Sequence, residues 1–359
     1  MKKPKVVSLF SGCGGLDLGF KQSGYDIIWA NDILKDACET YRFNIGDHIF
    51  CEDIIKIDKS IIPKADIVIG GPPCQSFSLV GKRNPEDDRS NLVWSYLEVL
   101  QRVKPKVFIL ENVTGLLSAK NPDGSKVLDN LVEAFNELGY TTSIFKLNAA
   151  DFGVPQRRVR VFIVGNKKKT KISEPIKSHS EESWVSAFEA LSDLSDTTEN
   201  GIGKYIKKPK GKFQELMRKG QNGKFDLHFT PYASKKDQEL INHIPPGGNY
   251  MDVPDEISTK RILNFKNTGG RTTTYGRLSK DNPSYTLNTH FNRLNVGCNI
   301  HYEKERLISL REGLRIQSFP DSFEVLSSNK RNFYVPILYE DNKRYNRYDW
   351  DKLLAINSK

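Results

Sequence analysis

The chain has 359 residues, enough to bury a sizeable core without disulfide staples, and by length it forms one large and one smaller domain. Its 54 Lys and Arg against 44 Asp and Glu leave a net charge of +10, which points to a polyanionic partner if the excess is concentrated and to solubility if it is spread. Five cysteines (Cys13, Cys38, Cys51, Cys74 and Cys298) without a CxxC pair argue against a disulfide framework or a metal site, and the absence of an apolar leader or of any run of about 18 apolar residues argues against secretion or a membrane span, so a cytoplasmic protein is expected.

Val6 to Phe10 reads as a buried strand, followed by the turn Ser11-Gly12-Cys13-Gly14-Gly15 and a helix start at Leu16. Strand, glycine turn and helix together let a ligand approach the backbone at a helix amino terminus, although a tight turn without a ligand has the same pattern. Asp17 stands where the dinucleotide motif GxGxxG needs its third glycine, which disfavours a nicotinamide cofactor. The next strand, Tyr25 to Ala30, ends in Asn31-Asp32, and a third ends near Cys51-Glu52-Asp53. An acid at a strand's carboxyl end either caps the next helix or holds a ribose hydroxyl, and two of them beside a glycine loop favour an adenosine-containing cofactor.

The run Ala65 to Ile69 stops at Gly70-Gly71-Pro72-Pro73-Cys74-Gln75-Ser76. Glycines and prolines end the strand and set a thiol on a stiff loop where open parallel sheets place their ligands, although a lone cysteine is more often a small buried hydrophobe. Residues 79–90 are polar and irregular and read as a loop able to cover the thiol. A helix from Asn91 to about Val103 leads to the strand Val107 to Leu110, which ends in Glu111-Asn112-Val113, and a parallel neighbour would bring Glu111 close to Cys74. After a helix near 126–138 and a strand near 142–147 comes Gln156-Arg157-Arg158-Val159-Arg160, where Arg158 and Arg160 alternate at strand spacing and are expected on one face. Strands and helices in alternation predict an α/β fold with a doubly wound, mostly parallel sheet.

Taken together these stretches resemble the DNA cytosine-5 methyltransferases of bacterial restriction-modification systems. Phe10 to Gly15 resembles the family's cofactor loop, Pro72-Pro73-Cys74-Gln75 its nucleophile motif, Glu111-Asn112-Val113 its ENV motif and Gln156 to Arg160 its QxRxR motif. Arg311 to Asp321 resembles the motif that supports a target recognition domain, and all occur in family order over about residues 5–325. The resemblance implies a Rossmann-like catalytic domain (1–166) using S-adenosylmethionine, a smaller irregular β-containing target recognition domain (167–300) and a returning connector (301–359). It also implies Cys74 as nucleophile towards cytosine C6, Glu111 at N3 and N4, Arg158 at O2, and Arg160 behind them. Phe10, Gly12, Gly14 and Pro72 would line the cofactor, with Asp32 on its ribose and Asp53 on its adenine. Because no such chemistry is possible inside a stacked duplex, the target base must be flipped out.

From about Lys167 the sequence turns polar and lysine-rich. The stretch from Gly203 to Lys224 has eight Lys or Arg against the single acid Glu215, so charge is concentrated, as a phosphate-contacting surface requires. Gly269 to Arg277, small, polar and arginine-bearing, reads as a groove-reading loop or a plain hairpin. Thr286-Leu287, with Gly297 after it, resembles the Thr-Leu signature of the family's recognition domain. Beyond Phe323, where the family has a GNxVxP-like motif, the chain has Asn332 to Pro336 with neither the glycine nor the spacing.

The leading expectation is a monomeric enzyme acting on duplex DNA, paired in function with a restriction endonuclease. Its alternatives are a transfer-RNA cytosine methyltransferase and, because of the unusual tail, a catalytically impaired DNA-binding relative. A thiol protease is disfavoured because none of the six histidines lies in a motif that would pair with Cys74.

Overall fold

Short apolar runs alternating with amphipathic helices build the first part of the chain. The computed structural model describes residues 2–73, 91–121, 123–229, 231–288 and 291–326. Cys74, the covering loop expected at 79–90 and the tail from 327 lie outside these residues. Contacts divide these residues into two units, one within 2–147 and 159–176, the other of 148–158 and 177–326. The sequence alone places the first boundary at 166.

In the first unit the elements are β1 (Lys5–Leu9), α1 (Gly15–Gln22), β2 (Asp26–Asp32), α2 (Lys35–Asn44), β3 (Ile49–Cys51), β4 (Ile67–Gly70), α3 (Asn91–Val103), β5 (Val107–Val113), α4 (Val127–Glu137) and β6 (Thr141–Asn148). The two-residue β7 (Gln156–Arg157) falls to the second unit, and β8 (Val159–Asn166) returns to the first. One seven-stranded sheet has the order β3-β2-β1-β4-β5-β8-β6. The pairs β3-β2, β2-β1, β1-β4 and β4-β5 are parallel, and β5-β8 is antiparallel. The doubly wound, mostly parallel sheet expected from the sequence is therefore present.

Parallel strands covered by helices on both faces are apolar throughout, which is why β4 reads simply Ile67-Val68-Ile69-Gly70. Val68, Leu9, Phe108, Leu110, Tyr96 and Phe135 share one buried cluster. Phe108 packs on Phe135 with ring centres 4.3 Å apart. Gly165 faces Phe108 across the β5-β8 pair, and a Cβ there would lie 2.0 Å from the ring, so only glycine admits this packing.

The second unit has short elements: α5 (Ala187–Leu191), β9 (Gly203–Lys204), α6 (Lys212–Met217), β10 (Lys224–Phe225), α7 (Lys235–Asn242), α8 (Lys260–Thr268), β11 (Gly276–Arg277), β12 (Ser284–Tyr285), β13 (Cys298–Ile300) and α9 (Leu310–Ile316). Its three two-stranded ladders are β9-β10, β11-β13 and β7-β12. With so little regular structure, buried arginines satisfy loop carbonyls and carboxylates. Arg315, fully buried, donates to Asp321 at 2.6 and 2.8 Å, to Asp193 at 2.6 Å and to the Ala190 carbonyl at 2.8 Å. Glu312, the third residue of α9, forms a capping box with Ser309 and accepts from both Arg306 Nη atoms at 2.9 Å. Burial opposes ionisation of Glu312, but Arg306 and the neighbouring histidines outweigh it and hold the carboxyl well below the usual range.

Replacing Arg315 with Met would leave Asp193 and Asp321 buried without their main cation. The expected loss is about 3–5 kcal/mol, read as a lower urea midpoint, whereas Lys212→Ala on the exposed surface should stay within about 0.5 kcal/mol.

Candidate active site

The carboxyl ends of β1 and β4 coincide, with Leu9 opposite Gly70, while β5, whose Leu110 lies opposite Gly70, runs on to Val113 paired only with β8. Strand order reverses between β1 and β4, so their following loops border the crevice in which open α/β sheets bind ligands. Gly71, Pro72 and Pro73 leave β4 here, immediately before Cys74. A side chain at Gly71 would put its Cβ 3.2 Å from Glu111 Oε2, so the glycine lets the carboxylate lie against this turn. Asn112, 3% exposed, donates its Nδ2 proton to the Pro72 carbonyl at 2.8 Å and so ties the end of β5 to the turn. The sequence alone suggests no separate role for Asn112. Its one signal there is a polar residue in the same two-residue phase as the buried Phe108 and Leu110 on a central strand.

Arg160 stands on β8 one step diagonal from Glu111, because Glu111 faces Phe162 and Val113 faces Arg160. Its Nε donates to Glu111 Oε1 at 3.1 Å and its Nη1 to the Val159 carbonyl at 2.8 Å. Burial lowers the Arg160 pKa from its ordinary value, while Glu111 pulls it the other way. The pair therefore fixes the carboxylate's orientation from behind.

Arg158 departs from the expected arrangement. The strand is broken at this residue: β7 ends at Arg157, β8 begins at Val159, and the Arg158 carbonyl accepts from Ala149 N at 2.9 Å. The cause is non-local, since Gln156 and Arg157 pair in parallel with Ser284 and Tyr285 of β12. Arg158 and Arg160 thus belong to different units and do not alternate along one strand.

The loop after β1 is sharply bent, with φ of +54° at Phe10, +56° at Gly12 and +91° at Gly14. A Cβ on Gly14 would lie 2.8 Å from Ile45 and 3.0 Å from Tyr41, so glycine is required both by conformation and by space. Asp32 Oδ2 accepts from Gly12 N at 2.9 Å and Oδ1 from Leu34 N at 2.8 Å. It thereby shapes the loop, and a carboxylate oxygen can accept a ligand hydroxyl in addition to a backbone N–H. Asp53 caps its own turn through Ile55 N at 3.0 Å. Ile33, 63% exposed beside Asp32, is an apolar surface that carries no mark in the sequence. The bent loop, the acids at two strand ends and this apolar residue fit a ligand with both hydroxyls and a flat apolar ring.

In the second unit all seven lysines between 203 and 224 are exposed, but Arg218 is drawn inward, 3.7 Å from the Tyr205 ring centre and 3.5 Å from Asp193. The reading of Gly269 to Arg277 as groove-contacting fails at Arg277. This residue is 2% exposed and its guanidinium is spent on the carbonyls of Ile241, Ile244, His301 and Lys304 and on Glu305. Thr286 of the Thr-Leu pair donates to the Arg157 carbonyl at 2.8 Å, and Leu287 is buried. No group of three or more metal-ligating side chains is found among the described residues, and no helix there is long and apolar enough to cross a membrane.

Residues 4–335 match the family model for C-5 cytosine-specific DNA methylases. The chain is 36% identical over 339 residues to the type II methyltransferase M.NgoFVII of Neisseria gonorrhoeae, covering 91% of this chain and 80% of that one. It is 34% identical to the type II methyltransferase M.DdeI of Desulfomicrobium norvegicum, over 89% of this chain and 79% of that one. Among solved structures it is similar, with a TM-score of 0.69 and 25% identity, to a prophage-encoded E. coli protein described as a DNA modification methyltransferase. That likeness covers 90% of this chain and 91% of the other.

Asn112→Ala removes a buried donor and strands the Pro72 carbonyl. Stability should fall by about 1–3 kcal/mol in urea unfolding, and Asn112→Asp, which keeps the shape but not the N–H, should not restore it.

Proposed function

The chain belongs to the C-5 cytosine-specific DNA methylases, and on that footing we propose that it methylates C5 of a flipped-out cytosine in a short duplex DNA site, with Cys74 as the nucleophile. The observation that carries this reading is the turn before Cys74, tied to β5 through Asn112 and lying against a Glu111 carboxylate that Arg160 orients. Cytosine C5 is a poor nucleophile until something adds to C6. A thiolate suits that addition, although an ordinary thiol of pKa about 8.5 is only a few per cent ionised at neutral pH.

In the proposed sequence the Cys74 thiolate forms a bond to C6 and the ring electrons move towards C5. Glu111 binds the N4 amino group and, by passing a proton to N3, neutralises the negative charge that enters the ring, with Arg160 holding its carboxyl group in place; Arg158, by its motif, takes O2 and stabilises the charge on that side. S-adenosylmethionine, when bound, supplies the electrophilic methyl group that C5 accepts. Water or hydroxide from solvent then takes the C5 proton, and the electrons of that bond form the C5–C6 double bond. The C6–S bond breaks as they do, which releases the Cys74 thiolate and, with the N3 proton returned, restores the aromatic ring. Phe10, Gly12, Gly14 and Pro72 would line the cofactor, Asp32 would hold its ribose and Asp53 its adenine. The exposed lysines of 203–224 would contact phosphates. The relatives are named as type II enzymes, which supports protection of host DNA from a cognate nuclease and favours DNA over transfer RNA as substrate.

Expression in a bacterial host and sequencing of its DNA for 5-methylcytosine should reveal one recurring sequence context. A duplex carrying 5-fluorocytosine at that site should then be trapped covalently in the presence of cofactor, because fluorine cannot leave as a proton does, and Cys74→Ala should trap nothing. Methylation without a trapped adduct would refute the Cys74 route, and methyl transfer to transfer RNA but not to duplex DNA would refute the substrate.

A further inference from the structure

Beneath the loop that follows β1 lies a buried carboxylate with no role in methyl transfer itself. Asp17, in the first turn of α1, is fully buried. Its Oδ2 accepts from the Ser8 hydroxyl at 2.8 Å and its Oδ1 from the Tyr41 hydroxyl at 2.9 Å. Ser11, inside the loop, donates to the Ser8 oxygen at 2.9 Å, and His48 Nε2 lies 3.0 Å from the Tyr41 oxygen. The Tyr41 ring is also the surface against which Gly14 sits. One carboxylate thus joins β1, α1, α2 and two points of the loop.

These bonds have a single direction when Asp17 is ionised. A hydroxyl has one proton, so Ser8, having donated to Asp17, must accept from Ser11, and Tyr41, having donated, must accept from His48. A protonated Asp17 must itself donate, which reverses the bond to Ser8 or to Tyr41 and passes the reversal to the loop or to His48. Among the described residues no Lys or Arg pairs with Asp17. Lys21 of α1 is turned to the Ile45 carbonyl at 2.8 Å, and Asp26 and Asp47 act on His48.

We propose that Asp17 is a positioning residue for the cofactor: ionised, it holds Ser8, Ser11 and Tyr41 in the arrangement that shapes the Phe10–Gly15 loop, and protonated, it releases that arrangement. This role rests on the reading of the loop as the cofactor site.

Burial raises the Asp17 pKa from 3.8 to about 6, while the hydroxyls of Ser8 and Tyr41 pull it down. Cofactor affinity should therefore be full well above about pH 6 and fall as pH drops through that value. Folding stability follows the opposite sign. A carboxyl whose folded pKa is raised contributes most below 3.8, and that contribution is lost as pH rises through about 6. A group that only stabilised the fold would not give affinity and stability opposite slopes over one pH window.

Calorimetric titration with S-adenosylhomocysteine between about pH 5 and about pH 8 tests this, with thermal unfolding of each ligand-free variant alongside. The wild-type dissociation constant should rise about tenfold on acidification, the effect of losing one hydrogen bond to a charged group. Asp17→Asn should bind about tenfold more weakly at neutral pH and show no step. Tyr41→Phe removes a donor that favours the ionised form, so the step should move to higher pH, and His48→Gln should keep it. A flat wild-type profile, a step that survives Asp17→Asn, or one that disappears with His48→Gln would overturn the proposal. If Asp17→Asn does not fold, an unmoved step in Tyr41→Phe overturns it. Wild-type protein that binds no S-adenosylhomocysteine at any pH would overturn the cofactor reading as well, whereas binding without a step would overturn only the role of Asp17.

Discussion

Parallel pairing of β4 with β1 on one side and β5 on the other is the constraint on which the first unit depends. It sets Leu9, Gly70 and Leu110 in register, so β1 and β4 end beside the point from which β5 runs on alone against β8. From there the chain proceeds differently in each. Phe10, Gly12 and Gly14 take left-handed conformations, the turn after β4 uses Gly71 and two prolines, and β5 continues into Glu111 and Asn112. A one-residue slip of β5 against β4 would carry Glu111 and Asn112 to the wrong faces, because side chains alternate along a strand. Apolar burial of β4 on both faces is therefore what aligns the polar groups at its end.

The polar groups at this edge are held by protein partners. Asp32 is held by two backbone N–H groups, Glu111 by Arg160, and Asp17 by two hydroxyls. A half-buried ion pair such as Glu111 with Arg160 adds little to stability, because desolvation offsets most of the attraction. Its value is directional: a guanidinium fixed to β8 leaves the carboxylate few orientations. The same preference runs through the second unit, where buried arginines on α9 and β11 take the place of a regular sheet.

Much of the first unit is legible in the sequence because buried parallel strands are unbroken apolar runs and glycine and proline mark their ends. The strands at Val6, Ile67 and Val107 and the helices starting at 91 and 127 fall where those signals place them. What escapes is set by distant partners. The break at Arg158 depends on β12, about 125 residues further on in the chain by the spacing of Arg157 and its hydrogen-bonded neighbour Asn282. Asp17 is conspicuous in the sequence only as a missing glycine, and its burial becomes evident once Ser8 and Tyr41 converge on it. Arg277 looks like a groove reader because composition cannot show that five acceptors already surround its guanidinium.

The burial of Arg277 changes what the net charge of +10 means. Arg277, Arg306, Arg311 and Arg315 are buried among acceptors, and Arg218 is turned onto Tyr205 and Asp193, so arginine supplies much of the second unit's interior. The surface excess over 203–224 is consequently lysine. Lysine is a mobile point charge that suits phosphate, with a strong dependence on salt, and lacks the planar fork that reads guanine in the major groove. For a chain proposed to methylate one DNA sequence, this separates two tasks. The lysine surface fits a general attraction to the backbone, and sequence discrimination has to rest on other side chains, among which Arg277 no longer counts.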